Sequence, residues 1–220
     1  MTVTNQSVVE FVDDIASEST LGGGSVAAVG GAMAAALSEL VCRVSLESGD
    51  GADVETELWD MKSELAAERE RLLQLADEDA DAFEALVDAY GRRDEHEHTS
   101  AIGEATKRAT SVPLEIAERC LVVLESAAFL AAEGSERVVS DAGASGYLAH
   151  AAMRTALDTG SVNLVHIDDG DFTADTESRV EQLGTTGERL EAELHSTLGD
   201  WISARKTTKR PDESGDERPN

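Results

Sequence analysis

Apolar residues recur along this chain at three- and four-residue intervals almost from end to end, and no set of segments alternates apolar with polar as half-buried strands would. Val8, Phe11, Val12 and Ile15 make the first apolar face. Ser7 precedes them with Glu10 three residues on, a capping-box spacing that predicts a short helix to about Ser17. A second helix of small residues is expected over about 26–47, broken by Ser48-Gly49-Asp50-Gly51. A third, from about Asp53 to Tyr90, carries Leu58, Met61, Leu65, Leu72, Leu75, Ala76, Phe83 and Leu86 on one stripe, and the polar stretch 91–98 ends it. The fourth begins near Thr99 and runs through Leu114, Ala117, Cys120 and Leu124 to Gly134, with Pro113 kinking or restarting it. Asp141 or Ser140 should cap a fifth helix from Ala142 to Asp158; Asn163 to Ile167 reads as strand or turn; the last helix spans about 174–205. The expectation is an all-α bundle of about six helices in one domain over 1–205, with 206–220 a charged, disordered tail. The second and fifth helices, both rich in Gly and Ala, suggest close packing inside the bundle or across a homodimer.

Between the first two helices lies Leu21-Gly22-Gly23-Gly24-Ser25-Val26-Ala27-Ala28. Three glycines permit positive φ and close approach of another molecule to the backbone. Ser25 reads as the N-cap of the second helix, so the loop ends where unpaired N–H groups and the positive end of the helix dipole can hold an anion. The phosphate-loop pattern is absent, because no Lys-Ser or Lys-Thr follows, and no strand precedes the triplet as a dinucleotide fingerprint requires.

Composition narrows the partners. With 45 Asp plus Glu against 18 Lys plus Arg, the formal net charge of −27 disfavours nucleic acid and anionic membranes. Such an excess of acid resembles proteins from salt-accumulating cytoplasms, where a Debye length near ~3 Å at molar salt screens self-repulsion. Cys42 and Cys120 fall within apolar patterns and read as free buried thiols. Met1–Ser7 lacks the pattern of a signal peptide, and Glu39 and Arg43 interrupt the 26–37 apolar run, so a cytoplasmic protein is expected.

Asp79 stands apart from its acidic neighbours. At ~100° per residue it shares the stripe of Leu72, Leu75, Ala76, Phe83 and Leu86, while Asp77 and Asp81 each point ~200° away, toward solvent. A carboxylate on a core-facing stripe loses hydration, which suits a general acid or base. Asp141, after Val138-Val139-Ser140, is a second candidate or a plain cap. His96 and His98 lack a third ligand at fixed spacing, so no metal site is expected. His150 and His166 read as packed or capped residues, and neither a Gly-x-Ser-x-Gly elbow nor a Cys-His signature is present.

Four blocks in order, Gly22-Gly23-Gly24-Ser25-Val26-Ala27-Ala28, Ala76-Asp77-Glu78-Asp79-Ala80-Asp81-Ala82-Phe83, Val112-Pro113-Leu114-Glu115-Ile116-Ala117-Glu118-Arg119-Cys120 and Val139-Ser140-Asp141-Ala142-Gly143, resemble the cyclodeaminase/cyclohydrolase family. The likeness runs from about Val8 to Trp201. It implies an all-helical homodimer acting on folate-bound one-carbon units, with the folate near the glycine loop and the subunit interface. One family reaction opens a 5,10-methenyl bridge with water to give 10-formyltetrahydrofolate; the other closes 5-formiminotetrahydrofolate and expels ammonia. Neither needs a metal or other cofactor. The resemblance implies Asp79 as general base or acid, Asp141 as a second catalytic candidate, and Gly22, Gly23, Gly24, Ser25 and Asn163 as substrate-binding residues, the loop holding the anionic glutamate tail or the pterin amide. The chain departs from its relatives in lacking a lysine-rich stretch after the second helix and an Asn-Pro-Asn where Ser135-Glu136-Arg137 stands. Methenyltetrahydrofolate cyclohydrolase is the leading reading, formiminotetrahydrofolate cyclodeaminase the enzymatic alternative, and a non-catalytic folate- or protein-binding helical dimer the third.

Overall fold

The computed structural model describes residues 2–17, 21–49, 52–91 and 95–208. Among them are α1 (Val8–Ala16), α2 (Gly23–Ser48), α3 (Glu55–Gly91), α4 (Glu95–Glu133), α5 (Val139–Leu164) and α6 (Gly170–Thr208), three single 3₁₀ turns and no strand. The all-α expectation holds. Ser7 and Glu10 form the capping box that starts α1.

Four helices close a ring in which every neighbour runs antiparallel. Gly24 faces Asp79 and Gly31 faces Leu72 between α2 and α3; Arg71 meets Glu115 between α3 and α4; Asn163 meets Ala109 between α4 and α5; and Ser38 bonds Ser145 at 2.7 Å between α2 and α5. The small residues of α2 and α5 thus serve packing inside the bundle. Ala28, Ala34 and Ala35 are fully buried, opposite larger chains on α3 and α4 such as Leu65, Leu72, Leu75, Ile116 and Leu124. Each such leucine contributes about 1.5–3 kcal/mol by leaving water. The outer helix α6 lies over α4 and α5, with Leu198 and Leu194 seated against Gly143 and Gly146, and Met153 seated against Gly187. α2 is long and apolar enough to cross a membrane by length and composition, yet 56% of its most apolar window is buried inside the bundle.

Several boundaries differ from the periodic reading. Pro113 neither ends nor restarts α4, which runs through it. Its missing N–H would orphan the carbonyl of Ala109, but Asn163 Nδ2 donates to that oxygen at 2.8 Å, so the helix continues. α4 starts at Glu95, because 95–100 is polar but free of Gly and Pro and nothing in it opposes a helix. α5 continues to Leu164, so 163–164 are its last turn rather than a strand. Its N-cap is Val138, without a side-chain cap, and neither Ser140 nor Asp141 plays that part; Ser135 instead caps the preceding 3₁₀ turn through the Arg137 N–H. α6 begins at Gly170, where Asp169 Oδ1 accepts the Phe172 N–H, and extends through Thr208, so 206–208 belong to the helix. The rest of the expected tail, 209–220, lies outside the described residues. Both cysteines are free, and burial pushes the Cys42 thiol up to about 11 and the Cys120 thiol to about 12, leaving both protonated.

Candidate functional site

The glycine triplet sits at one end of the ring. Gly22 is the N-cap of α2, extended at φ −140°, and offers no side chain to the first turn. Ser25 is therefore the third helical residue and not the cap. One donor of that turn is met from across the bundle: Asp79 accepts the Ser25 backbone N–H, and the Ser25 hydroxyl at 2.8 Å as well. A carboxylate here also faces the positive end of the α2 dipole. Space explains Gly24, since a Cβ there would lie 2.1 to 2.6 Å from the Asp79 carboxylate atoms. Positive φ does not, because Gly49 is the one described residue that adopts it.

Asp79 is 8% exposed, as its place on the stripe demands. Burial raises its pKa above the ordinary carboxylate value, and the two bonds from Ser25 pull it back. Asp81 is exposed, but Asp77 is half-buried rather than solvated: it accepts bonds from the Val3 N–H and the Thr4 hydroxyl and so ties the N-terminal turn to α3. Phe83, expected in the core, is 47% exposed.

In front of Asp79 opens a cavity of about 390 Å³ to which all four ring helices contribute. The Gly22–Gly24 backbone and Leu21 form one side, Phe83 and Leu86 of α3 a second, Ala109 of α4 the floor, and Thr159, Val162 and Asn163 of α5 the remainder. Most of this lining is apolar, so a flat, partly aromatic ligand can lose water against it while polar groups meet Asp79, Asn163 and the glycine backbone.

The structure thus brings together Gly22, Gly23, Gly24, Asp79 and Asn163, with Ser25 behind the carboxylate. Asp141 is not among them. It lies in the first turn of α5, at the other end of the ring, about 27 Å along the helix from Thr159 at ~1.5 Å per residue. Phe83, Leu86, Ala109, Thr159 and Val162 are additions that periodicity alone does not announce, although Thr159 and Asn163, four residues apart, share a helix face once α5 is extended. The side chains of His96 and His98 lie outside the described residues, and no group of three or more His, Cys, Asp or Glu able to hold a metal occurs within them. His150 packs against Gly187 of α6.

Comparison with known proteins gives a consistent picture. Residues 7–182 match the family model described as formiminotransferase-cyclodeaminase. The methenyltetrahydrofolate cyclohydrolase of Methylorubrum extorquens is 33% identical over 200 residues, covering 88% of this chain and 96% of that protein. Among solved structures, the formiminotetrahydrofolate cyclodeaminase of Thermotoga maritima superposes with a TM-score of 0.85 at 28% identity, covering 91% of this chain and 99% of the other.

Proposed function

This chain belongs to the formiminotransferase-cyclodeaminase family, and we propose that it hydrolyses 5,10-methenyltetrahydrofolate to 10-formyltetrahydrofolate. The observation that carries this reading is a carboxylate 8% exposed, held from behind by Ser25 and opening onto a largely apolar cavity. The methenyl bridge is a cationic amidinium, so a desolvated carboxylate both attracts it and can take a proton. Water adds to the bridge carbon as Asp79 removes one of its protons. The resulting tetrahedral carbon expels N5, which receives that proton from Asp79; the remaining hydroxyl proton leaves to solvent as the formyl carbonyl forms on N10. The glycine backbone and Asn163 bind and orient the substrate, Phe83 and Leu86 exclude water from one side of the bridge, and no metal or cofactor is required.

Purified protein mixed with methenyltetrahydrofolate should abolish its near-UV absorbance at a rate proportional to enzyme. The likeness to the Thermotoga maritima protein favours a second reading, cyclodeaminase activity, which would instead release ammonia from formiminotetrahydrofolate. Turnover in neither assay would leave a non-catalytic binding protein.

The reading extends to a cytoplasmic homodimer in a salt-rich cell. Val26, Met33 and Tyr147 expose 40%, 52% and 39% of their surfaces on the outer face shared by α2 and α5. A second copy seated there would cover these exposed apolar side chains, and Met33→Glu should shift the sedimentation of a dimer to that of a monomer. The −27 charge predicts that stability and kcat/KM rise with KCl from about 0.1 to 2 M, and equally with NaCl, through screening. A flat salt profile would remove the salt-rich cytoplasm from the proposal.

A further inference from the structure

Pro113 lies in the middle of α4 on the floor side of the cavity, where a helix-breaking residue needs a reason. In an uninterrupted helix the N–H of residue 113 would donate to the carbonyl of Ala109. Proline has none, and the acceptor left over is taken by Asn163 Nδ2 at 2.8 Å. α5 comes close enough for this short side chain to reach: a Cβ on Gly160 would lie 3.4 Å from Thr110 O and 3.8 Å from the Pro113 Cβ. A carbonyl only accepts, so the nitrogen end of the Asn163 amide must face α4. The oxygen end then faces away from α4. Asn163 lines the cavity and no described protein group donates to its Oδ1.

We infer that Pro113 is a positioning residue: by withholding an N–H from Ala109 it fixes the Asn163 amide with Oδ1 toward the cavity, where that oxygen accepts a ring N–H of the reduced pterin. This deepens the folate reading above and rests on it. The amide side chain by itself is indifferent to which end faces a ligand, and a freely rotating amide would accept a donor or an acceptor. The proline removes that choice, and the site selects a ligand edge that donates.

The test is a double-mutant cycle read in KM, kcat and thermal midpoint. Pro113→Ala returns the N–H to Ala109 and releases the amide, so KM for methenyltetrahydrofolate should rise about tenfold, as loss of one oriented hydrogen bond implies, with kcat little changed and the midpoint equal or higher. Asn163→Ala should raise KM similarly and lower the midpoint by about 5 °C, because the Ala109 carbonyl is left unpaired. In the double variant the midpoint should recover while KM stays raised. Inhibition by p-aminobenzoylglutamate, which has no pterin, should be unchanged in both single variants, and Asn163→Ala gives the KM readout alone if Pro113→Ala does not fold. An unmoved KM in folded Pro113→Ala, recovery of KM in the double variant, or equal weakening of p-aminobenzoylglutamate would overturn the inference. A wild-type chain that neither turns over methenyltetrahydrofolate nor binds 5-formyltetrahydrofolate would overturn the functional reading and, with it, the pterin contact, while the stability cycle would still report on the Pro113–Asn163 coupling.

Discussion

Gly24 and Gly31 stand two turns apart on the same inward stripe of α2, and each is glycine because a neighbour comes too near for a Cβ. At Gly24 the neighbour is the Asp79 carboxylate, at 2.1 to 2.6 Å from a Cβ; at Gly31 it is the Cys120 sulfur, at 2.5 Å, with Leu72 methyls at 3.2 and 3.3 Å. The Gly31 contact is dry, made against a thiol held protonated by burial and a fully buried leucine. The Gly24 contact borders the cavity and holds a carboxylate whose ionisation burial opposes. The same local device therefore sets helix spacing in one place and aims a reactive group in the other, and which it does depends on what α3 or α4 presents.

The sharpest way to break this contrast is to remove the reactive group and leave the spacing. Asp79→Asn should lower kcat by about 10²–10⁴ with the fold retained, while the exposed control Asp81→Asn should be silent. Unaltered turnover in Asp79→Asn would show that both glycines serve packing. The same variant reads the pKa shift. Because the folded-state pKa of Asp79 is raised, the folded protein binds that proton more tightly; this group's contribution to stability is greatest in acid and declines as pH rises from the unfolded carboxylate range near ~4 through the raised value. Asp79→Asn should flatten that decline in a pH series of thermal midpoints. In the wild type, kcat/KM should fall in acid with a midpoint above the ordinary carboxylate value, as the base is protonated.

Next in size is Gly24→Ala. Its Cβ must displace the carboxylate from Ser25, and misplacement of a reacting group by about 1 Å costs on the order of 10² in kcat/KM. Gly31→Ala is its counterpart and should move stability instead. Overpacking against Cys120 and Leu72 costs about 1–3 kcal/mol, alanine's helix propensity returns about 1 kcal/mol, and the thermal midpoint should drop by a few degrees with kcat/KM unaltered. If the two variants lose activity in equal measure, the distinction between the contacts fails. The smallest effect is expected at Asp141, half-buried at the far end of the ring: Asp141→Asn should leave both kcat/KM and the midpoint where they are.

The helical stripes and the inward position of Asp79 are legible in the sequence because burial repeats every three or four residues whatever lies opposite. What escapes it are the partners that other helices supply. Ser25 looks like a cap because a serine follows a loop, yet its hydroxyl and N–H go to an acceptor more than fifty residues away in sequence. Pro113 looks like a break because the donor that satisfies the Ala109 carbonyl sits on α5. Asp77 looks solvated because the N-terminal turn that donates to it has no periodicity of its own. Asn163 and Val165 suggest strand or turn by composition, but an amide anchored to α4 and the buried Leu164 hold the segment at the end of a helix. Each miss is a tertiary hydrogen bond or contact overriding a local preference.

The antiparallel ring also fixes the order in which its parts can be assembled on the ribosome. α2, the helix most like a membrane segment, emerges early and meets α3 as soon as the next stretch is made, but its other flank belongs to α5. That flank is not complete until Leu164, more than a hundred residues after α2 ends. At about 5–20 residues per second, a Gly- and Ala-rich apolar helix waits roughly 5–20 s with one side uncovered. Its first partner is acid-rich α3, which gives the half-built chain a charged exterior while the last wall of the ring is still being synthesised.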